Sequence, residues 1–402
     1  MRTLIRNVRV FDGERTVPGT DVLIDGDRIA EPDGSAVNVE VDGTGKTLLP
    51  GLIDAHTHAY DGDLAEALTF GVTTELEMNN LPPILAAQRR LAAERDDVAD
   101  LRSSSMIATA PGGHPSQLMT PDLLRALGSD SGAGLDTVAD PGQARAFVEA
   151  RLAEGADYLK IAVDDGAVSG MDLPVLTPEL AAALVEAGHA AGLKVIAHTV
   201  TAREALIALD AGVDGLAHLY SDVPGEEAEE TAARIASYDA FVISTIVYIE
   251  AVTGGTGGGE LLRDPRVAGR MSERSKATFD QQVAGVPMHS AGVANASRSA
   301  LALLRAGVPV LAGTDATPFG PVHGAGFHRE LLLLTEAGLT AEQALAAATG
   351  VTARCFGLAD RGRIASGLRA DLLLVEGDPT TDITATRAIA DVWRRGVRQG
   401  ER

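Results

Sequence analysis

The chain of 402 residues is 45% hydrophobic and 22% charged, a globular composition long enough for one large domain and a smaller one. Its net charge of -22 repels phosphate backbones and argues against nucleic acid as a partner. A single cysteine, Cys355, excludes an internal disulfide framework and a cysteine-rich zinc site. The opening segment MRTLIRNVRV lacks the sustained apolar stretch of a signal peptide, and no apolar run reaches spanning length. A soluble, cytoplasmic protein without membrane contact is expected, with a small molecule as its partner. The oligomeric state is left open, a homo-oligomer included.

Residues 1–47 contain short strand-like runs, TLIRNVRVFDG and DVLIDGDRIAE, separated by Gly, Pro and Asp turn signals. Residues 363–402 read alike, with DLLLVEGDP and DVWRRGVRQG. The two ends together predict one small β-sandwich domain. Between them, over 48–362, apolar runs alternate with longer segments of helical period. The runs are 48–56, 71–78, 103–110, 157–164, 194–200, 215–219, 241–247 and 309–315. Eight strands alternating with helices predict a (β/α)8 TIM barrel. Gly71, Gly192, Gly212 and Gly307 each precede a strand, as suits the left-handed residue that ends a helix. The glycine-rich segment 253–275 lacks the Gly-Lys-Ser/Thr ending of a phosphate loop and reads as a loop over the barrel mouth.

Reacting groups of such a barrel sit at the C-terminal ends of its strands. Strand one ends in DAHTH, with His56 and His58; residues two apart on a strand share a face, so both imidazoles can reach one metal ion. Strand five ends at His198, strand six at His218 and strand eight at Asp315. Alone, His198 or His218 reads as a packed histidine and Asp315 as a turn cap. Together they form a ligand set suited to zinc, and also to manganese or iron. Strand four carries Lys160 inside YLKIAV, although only four of the 34 basic residues are lysine and burying an ammonium is costly. His189 falls within a helix and reads as structural; His289, His323 and His328 lie outside strands.

At this point the sequence resembles the amidohydrolase superfamily of metal-dependent hydrolases. LPGLIDAHTH, YLKIAVDDG, KVIAHT, GLAHL, LAGTDA and the late GLRADLLLVEGDP occur in that family's order over nearly the whole chain. APGGH after strand three and TPFGPVHGAGFHREL after strand eight resemble the imidazolonepropionase-like and Xaa-Pro or Xaa-Arg dipeptidase-like branch. The resemblance implies that His56, His58 and Asp315 bind the more buried of two divalent ions, and His198 and His218 the second. It implies that Lys160 is carboxylated and bridges both, and that Asp315 takes the proton of the attacking water. The implied reaction is hydrolysis of an amide, cyclic amide or related C–N bond.

Two departures touch the pocket wall. TTELEMN stands where members of the branch often carry Arg-Asp, and Ala217 precedes His218 in place of Glu. They keep open a second reaction at the same centre, cyclodehydration or ester hydrolysis. Glu77, His114, Tyr248 and His323 are the candidate substrate contacts. A Schiff-base role for Lys160 has no use for four strand-end histidines. A non-catalytic scaffold predicts an eroded ligand set, and this one is whole.

Overall fold

A computed structural model describes residues 1–126, 134–253, 258–280, 292–318 and 320–400. Residues 254–257 of the glycine-rich segment and His289 lie outside the described residues. The two chain ends meet in one eight-stranded sheet. Arg2–Phe11 pairs antiparallel with Thr16–Asp25 and parallel with Lys46–Pro50, which in turn pairs antiparallel with Leu372–Glu376. Ile389–Arg394 continues the sheet beside Leu372–Glu376. One face of these strands is apolar: Ile5, Val8, Ile24, Leu48, Leu372 and Trp393 form a core of their own.

Among the described residues a second set of strands is wholly parallel. Leu52–Thr57, Val72–Glu77 and Asp100–Ser103 form one sheet. Leu159–Ala162, Val195–His198, Gly215–Ala217, Phe241–Ile243 and Val310–Leu311 form another. Hydrogen bonds join the two at both margins. Asp157 N–H donates to Ser103 O at 2.8 Å and Ala108 N–H to Lys160 O at 2.9 Å; on the other side Ala55 N–H donates to Ala312 O at 3.0 Å and Asp315 N–H to His56 O at 2.7 Å. Every residue of Leu52–Thr57 and Leu159–Ala162 is buried, because helices cover the outer face of a parallel sheet. The helices start where the sequence supplies caps: Thr177 before Pro178–Ala190, and a reciprocal Thr201–Glu204 capping box before Ala202–Asp210. Gly71, Gly192, Gly212 and Gly307 all have positive φ, between 76° and 94°. The result is a TIM-barrel-like α/β fold.

Several boundaries differ from the sequence expectation. The run 48–56 is two strands, since Lys46–Pro50 belongs to the terminal sheet and the barrel strand begins at Leu52. Strand three is Asp100–Ser103 rather than 103–110, because Ser105 takes φ 58° and turns the chain out of the sheet. Strand seven stops at Ile243: Thr245 has φ 53°, and the helix Ile246–Val252 follows, its Val247 N–H donating to the buried Glu330 carboxylate at 2.7 Å. The described part of 253–275 holds the helices Gly258–Arg263 and Pro265–Ala268 and the start of a third, Glu273–Asp280. The first two are held by the C-terminal segment, through Glu260 on Arg387 at 2.6 Å and Arg270 on Ile389 O at 2.7 Å, and so do not form a simple loop over the mouth.

Candidate active site

The strand alternation that buries Ala55 and Thr57 puts His56 and His58 on one face at the end of strand one. Strand eight approaches closely enough that a Cβ on Gly313 would lie 3.0 Å from the His56 nitrogen and 2.6 Å from Ile243 Cγ2; glycine is what permits the contact. Two residues on, Asp315 adopts φ 55° and turns its carboxylate between the rings, Oδ1 lying 3.0 Å from His58 Nε2 and 3.3 Å from His56 Nε2. Such a backbone conformation is sparsely populated by non-glycine residues and concentrates at functional sites. Asp54 locks the arrangement from behind, accepting hydrogen bonds from Thr314 Oγ1 at 2.6 Å, Thr314 N–H at 3.0 Å and His56 N–H at 3.2 Å.

His198 and His218 make the other half. Their facing nitrogens, Nδ1 of His198 and Nε2 of His218, are 2.9 Å apart. His218 has φ 79°, and its Nδ1 lies 2.7 Å from Thr245 Oγ1. His198 Nε2 lies 3.3 Å from Asp164 Oδ2, and Asp164 is itself held through Oδ1 by Gly166 N–H at 2.8 Å. His58 Nδ1 lies 3.1 Å from Asn79 O. A carbonyl only accepts, so His58 carries a proton on Nδ1, and its Nε2 is the nitrogen turned toward Asp315. Asp164 likewise takes the Nε2 proton of His198 and leaves Nδ1 free. These outer partners do for each imidazole what they do in metal sites generally: they fix tautomer and orientation.

Burial dominates the electrostatics. It holds His56 and His218 well below the ordinary imidazole range, with Lys160 adding to the effect, so both rings are neutral and their lone pairs available. Burial also lowers His58, but its bonds to Asp315 and Glu77 prevail and lift it to about 10. Burial opposes the charge on Asp315, yet His56 and His58 hold it well below the carboxylate range. Burial lowers Lys160 to about 7 against the pull of Asp315 and Glu77. Lys160 is 1% exposed, and its Nζ, like His56 Nδ1, is buried without a hydrogen-bond partner. His56, His58 and Asp315 bring ligand atoms within 4.8 Å of one another, as do His114, Asp164 and His198. Neutral imidazoles at His56 and His218, a low-lying carboxylate and an unpartnered lysine nitrogen fit cation binding.

All six expected ligands line one cavity of about 350 Å³ together with His114 and Tyr248. His114 stacks on His198 at 4.3 Å between centroids, its own pKa lowered to about 3 by burial and by His198. Tyr248 lies 6.4 Å ring to ring from His218, on the helix that replaces the expected end of strand seven. Glu77 and His323 are not in the cavity wall. Glu77 is fully buried behind it, accepting from Ser103 Oγ and, at 2.9 Å, from Asn79 N–H, so that it supports the turn whose carbonyl orients His58. His323 lies on the far side of strand two, Nδ1 2.7 Å from Glu75 Oε1 and Nε2 3.3 Å from Asp63 Oδ2. Buried carboxylates need such a partner, and they, not a substrate, claim its ring. Asp164, Thr245 and Asn79 were not among the expected residues. Asp164 was readable: 160, 162 and 164 share one face of strand four and its continuation.

A TIM-barrel-like fold with imidazoles, a carboxylate and a buried lysine at its C-terminal strand ends is the framework of a metal-assisted hydrolase. The pattern that defines the Amidohydrolase family matches residues 47–399, and the chain belongs to that family, as a hydrolase acting on C–N bonds. An imidazolonepropionase of Ruegeria sp. (strain TM1040) is 29% identical over 392 residues, covering 90% of this chain and 86% of that protein. An imidazolonepropionase of Deinococcus deserti is 38% identical over 103 residues, and that match spans only 25% of the relative's length. Among solved structures, a Xaa-Pro dipeptidase with bound methionine superposes with a TM-score of 0.75 at 21% identity, covering 100% of both chains, a likeness of fold. Among the described residues no helix is long and apolar enough to cross a membrane.

Proposed function

We propose that the protein hydrolyses an amide, cyclic amide or related C–N bond of a small molecule at a centre of two divalent metal ions. The observation that carries this reading is Lys160: a fully buried lysine whose nitrogen has no partner and which lies within electrostatic reach of Asp315, His56 and His218. Depressed to about 7, its neutral amine can add to CO2, forming an N–C bond and releasing a proton. The carbamate so formed is an anion with two oxygens, facing the neutral imidazoles of His56 and His218. His56, His58 and Asp315 would hold one ion, His198 and His218 the other, with Lys160 between. Zinc suits these ligands best, with manganese or iron as alternatives.

Bound there, the two ions would supply Lewis acidity toward the scissile carbonyl and a water acidic enough to attack it near neutral pH. Asp315, ionised and aimed between His56 and His58, accepts the proton of the attacking water and returns it to the leaving nitrogen. His114 and Tyr248 orient the substrate carbonyl; the Tyr248 phenol, raised by burial, stays protonated and donates. The family assignment and the names of the relatives support the reaction class. We take residues 51–362 as the catalytic unit, a closed (β/α)8 barrel, and residues 1–50 with 363–402 as a β-sandwich, the first boundary moved from 47 because Lys46–Pro50 pairs within the terminal sheet. The hydrogen bonds at both sheet margins and the shared terminal sheet support that division.

Elemental analysis of the purified chain should find two transition-metal ions per chain. Asp315→Asn should lower kcat by about 10²–10⁴-fold. A metal-free preparation with full activity would refute the proposal.

A further inference from the structure

The cavity at the strand ends is built for an uncharged molecule. Away from the strand-end ligands and Asp164 the wall is mainly aliphatic, with Met78, Ile107, Val200, Leu219, Ile249 and Val252, and its other polar side chains, such as Asn79, Gln117 and Ser221, are uncharged. Leu118 and Met171, which also line it, are 49% and 39% exposed, so its rim is apolar too. Large hydrophobic side chains left in water on a soluble protein mark binding surfaces when they gather at one opening. Among the described residues, Lys160 is the one lysine or arginine in the wall. Of the undescribed residues, the stretches 127–133, 254–257 and 281–291 contain neither lysine nor arginine, position 319 is phenylalanine, and Arg402, the last residue of the sequence, is the one basic residue. The anionic groups present, Asp164 and Asp315, would repel a second carboxylate. A substrate with a free carboxylate, such as an amino-acid derivative, therefore meets no cation beyond the catalytic centre.

Besides His56 Nδ1 and Lys160 Nζ at the candidate centre, a further polar atom in the wall is idle. Gln117 Nε2 bonds His114 Nδ1 at 3.2 Å, while Gln117 Oε1 is buried with no partner. A buried acceptor without a donor is costly, and a substrate N–H would satisfy it.

Resting on the metal-dependent reading above, we propose that the substrate is a neutral amide or urea carrying at least one N–H and an apolar alkyl or aryl arm. The N–H is accepted by Gln117, and the arm lies along the aliphatic wall and leaves past Leu118 and Met171. Burying an unpaired carboxylate in that channel is disfavoured, whereas a hydrocarbon arm gains from leaving water.

The test uses two ligands with the same metal-binding head and different tails, octanohydroxamic acid and suberic acid monohydroxamate. Calorimetry on the zinc-loaded protein at pH 7.5 reads binding without turnover. The alkyl tail should bind at least about 30-fold more tightly, and a carboxylate tail that binds equally or better overturns the inference alone. If neither hydroxamate binds, the metal-centre reading fails and takes the inference with it. Met171→Arg, at an exposed rim position, should tighten the carboxylate tail about tenfold and leave the alkyl tail within about threefold. A folded Met171→Arg protein with unchanged preference would place the tail elsewhere and overturn the assigned channel.

Discussion

Replacing Asp164 with alanine should loosen one metal ion and spare the other. Asp164 Oδ2 lies 3.3 Å from His198 Nε2, and Gly166 N–H holds its other oxygen at 2.8 Å, so the carboxylate is a rigid orienter of that imidazole. Without it, His198 can rotate and protonate on either nitrogen, and the lone pair on Nδ1 is no longer aimed at His218. Loss of such an outer partner costs about 10–100-fold in metal affinity, roughly 1.4–2.8 kcal/mol. Asp164→Asn keeps an acceptor but drops the charge, and should cost about threefold to tenfold, in line with the gap between charged and neutral hydrogen bonds. His56, His58 and Asp315 draw their geometry from Asn79, Asp54 and Gly313 instead, so their ion should stay. The assay is metal content per chain after dialysis against graded chelator. The alanine variant should pass through a state holding one ion at chelator concentrations where the wild type holds two. Release of both ions together at the wild-type concentration would refute the positioning role. A loss well beyond about 10³-fold would make Asp164 a ligand in its own right, consistent with the grouping of His114, Asp164 and His198.

Two further outcomes follow from the buried charges. Burial places the Lys160 ammonium near pKa 7 in the metal-free chain, so the reactive amine dominates above that pH and falls about tenfold per unit below it. Reconstitution of metal-free protein with zinc at fixed dissolved CO2 should therefore be about tenfold faster at pH 8 than at pH 6; equal rates would argue against carboxylation, and Lys160→Ala should remove both the CO2 dependence and one ion. His323 is the partner of Glu75 and Asp63; Asp63 keeps Arg274 and Tyr60 N–H, but His323→Ala leaves the buried Glu75 carboxylate without its partner and should cost about 3–5 kcal/mol in urea unfolding, with two ions still bound to the folded fraction. Unchanged stability with loss of substrate binding would return His323 to the substrate.

The gathering of the candidate ligands in one cavity was legible because its signal is local. His56 and His58 are two apart, and each of His198, His218 and Asp315 closes an apolar run, so the alternation of a strand and the polarity of a parallel barrel suffice to gather them. The substrate candidates fared differently. His114 and Tyr248 reached the cavity, Tyr248 from a helix rather than a strand, because a left-handed Thr245 ended strand seven early. Glu77 and His323 did not, since their neighbours in space are Ser103, Glu75 and Asp63, contributed by other strands and loops.

By itself the sequence determined the alternation of strands and helices, the pairing of the two chain ends in one β unit, and the chemistry at the strand ends. Periodicity, glycine positions and residue type are written along the chain and need no partner to be read. Tertiary structure alone decided which imidazole nitrogen faces which partner, which carboxylate faces which ring, and that among the described residues the pocket wall holds no lysine or arginine beyond Lys160. Those properties belong to pairs of groups such as Asp164 with His198, 34 residues apart, and distance in space carries no mark in sequence.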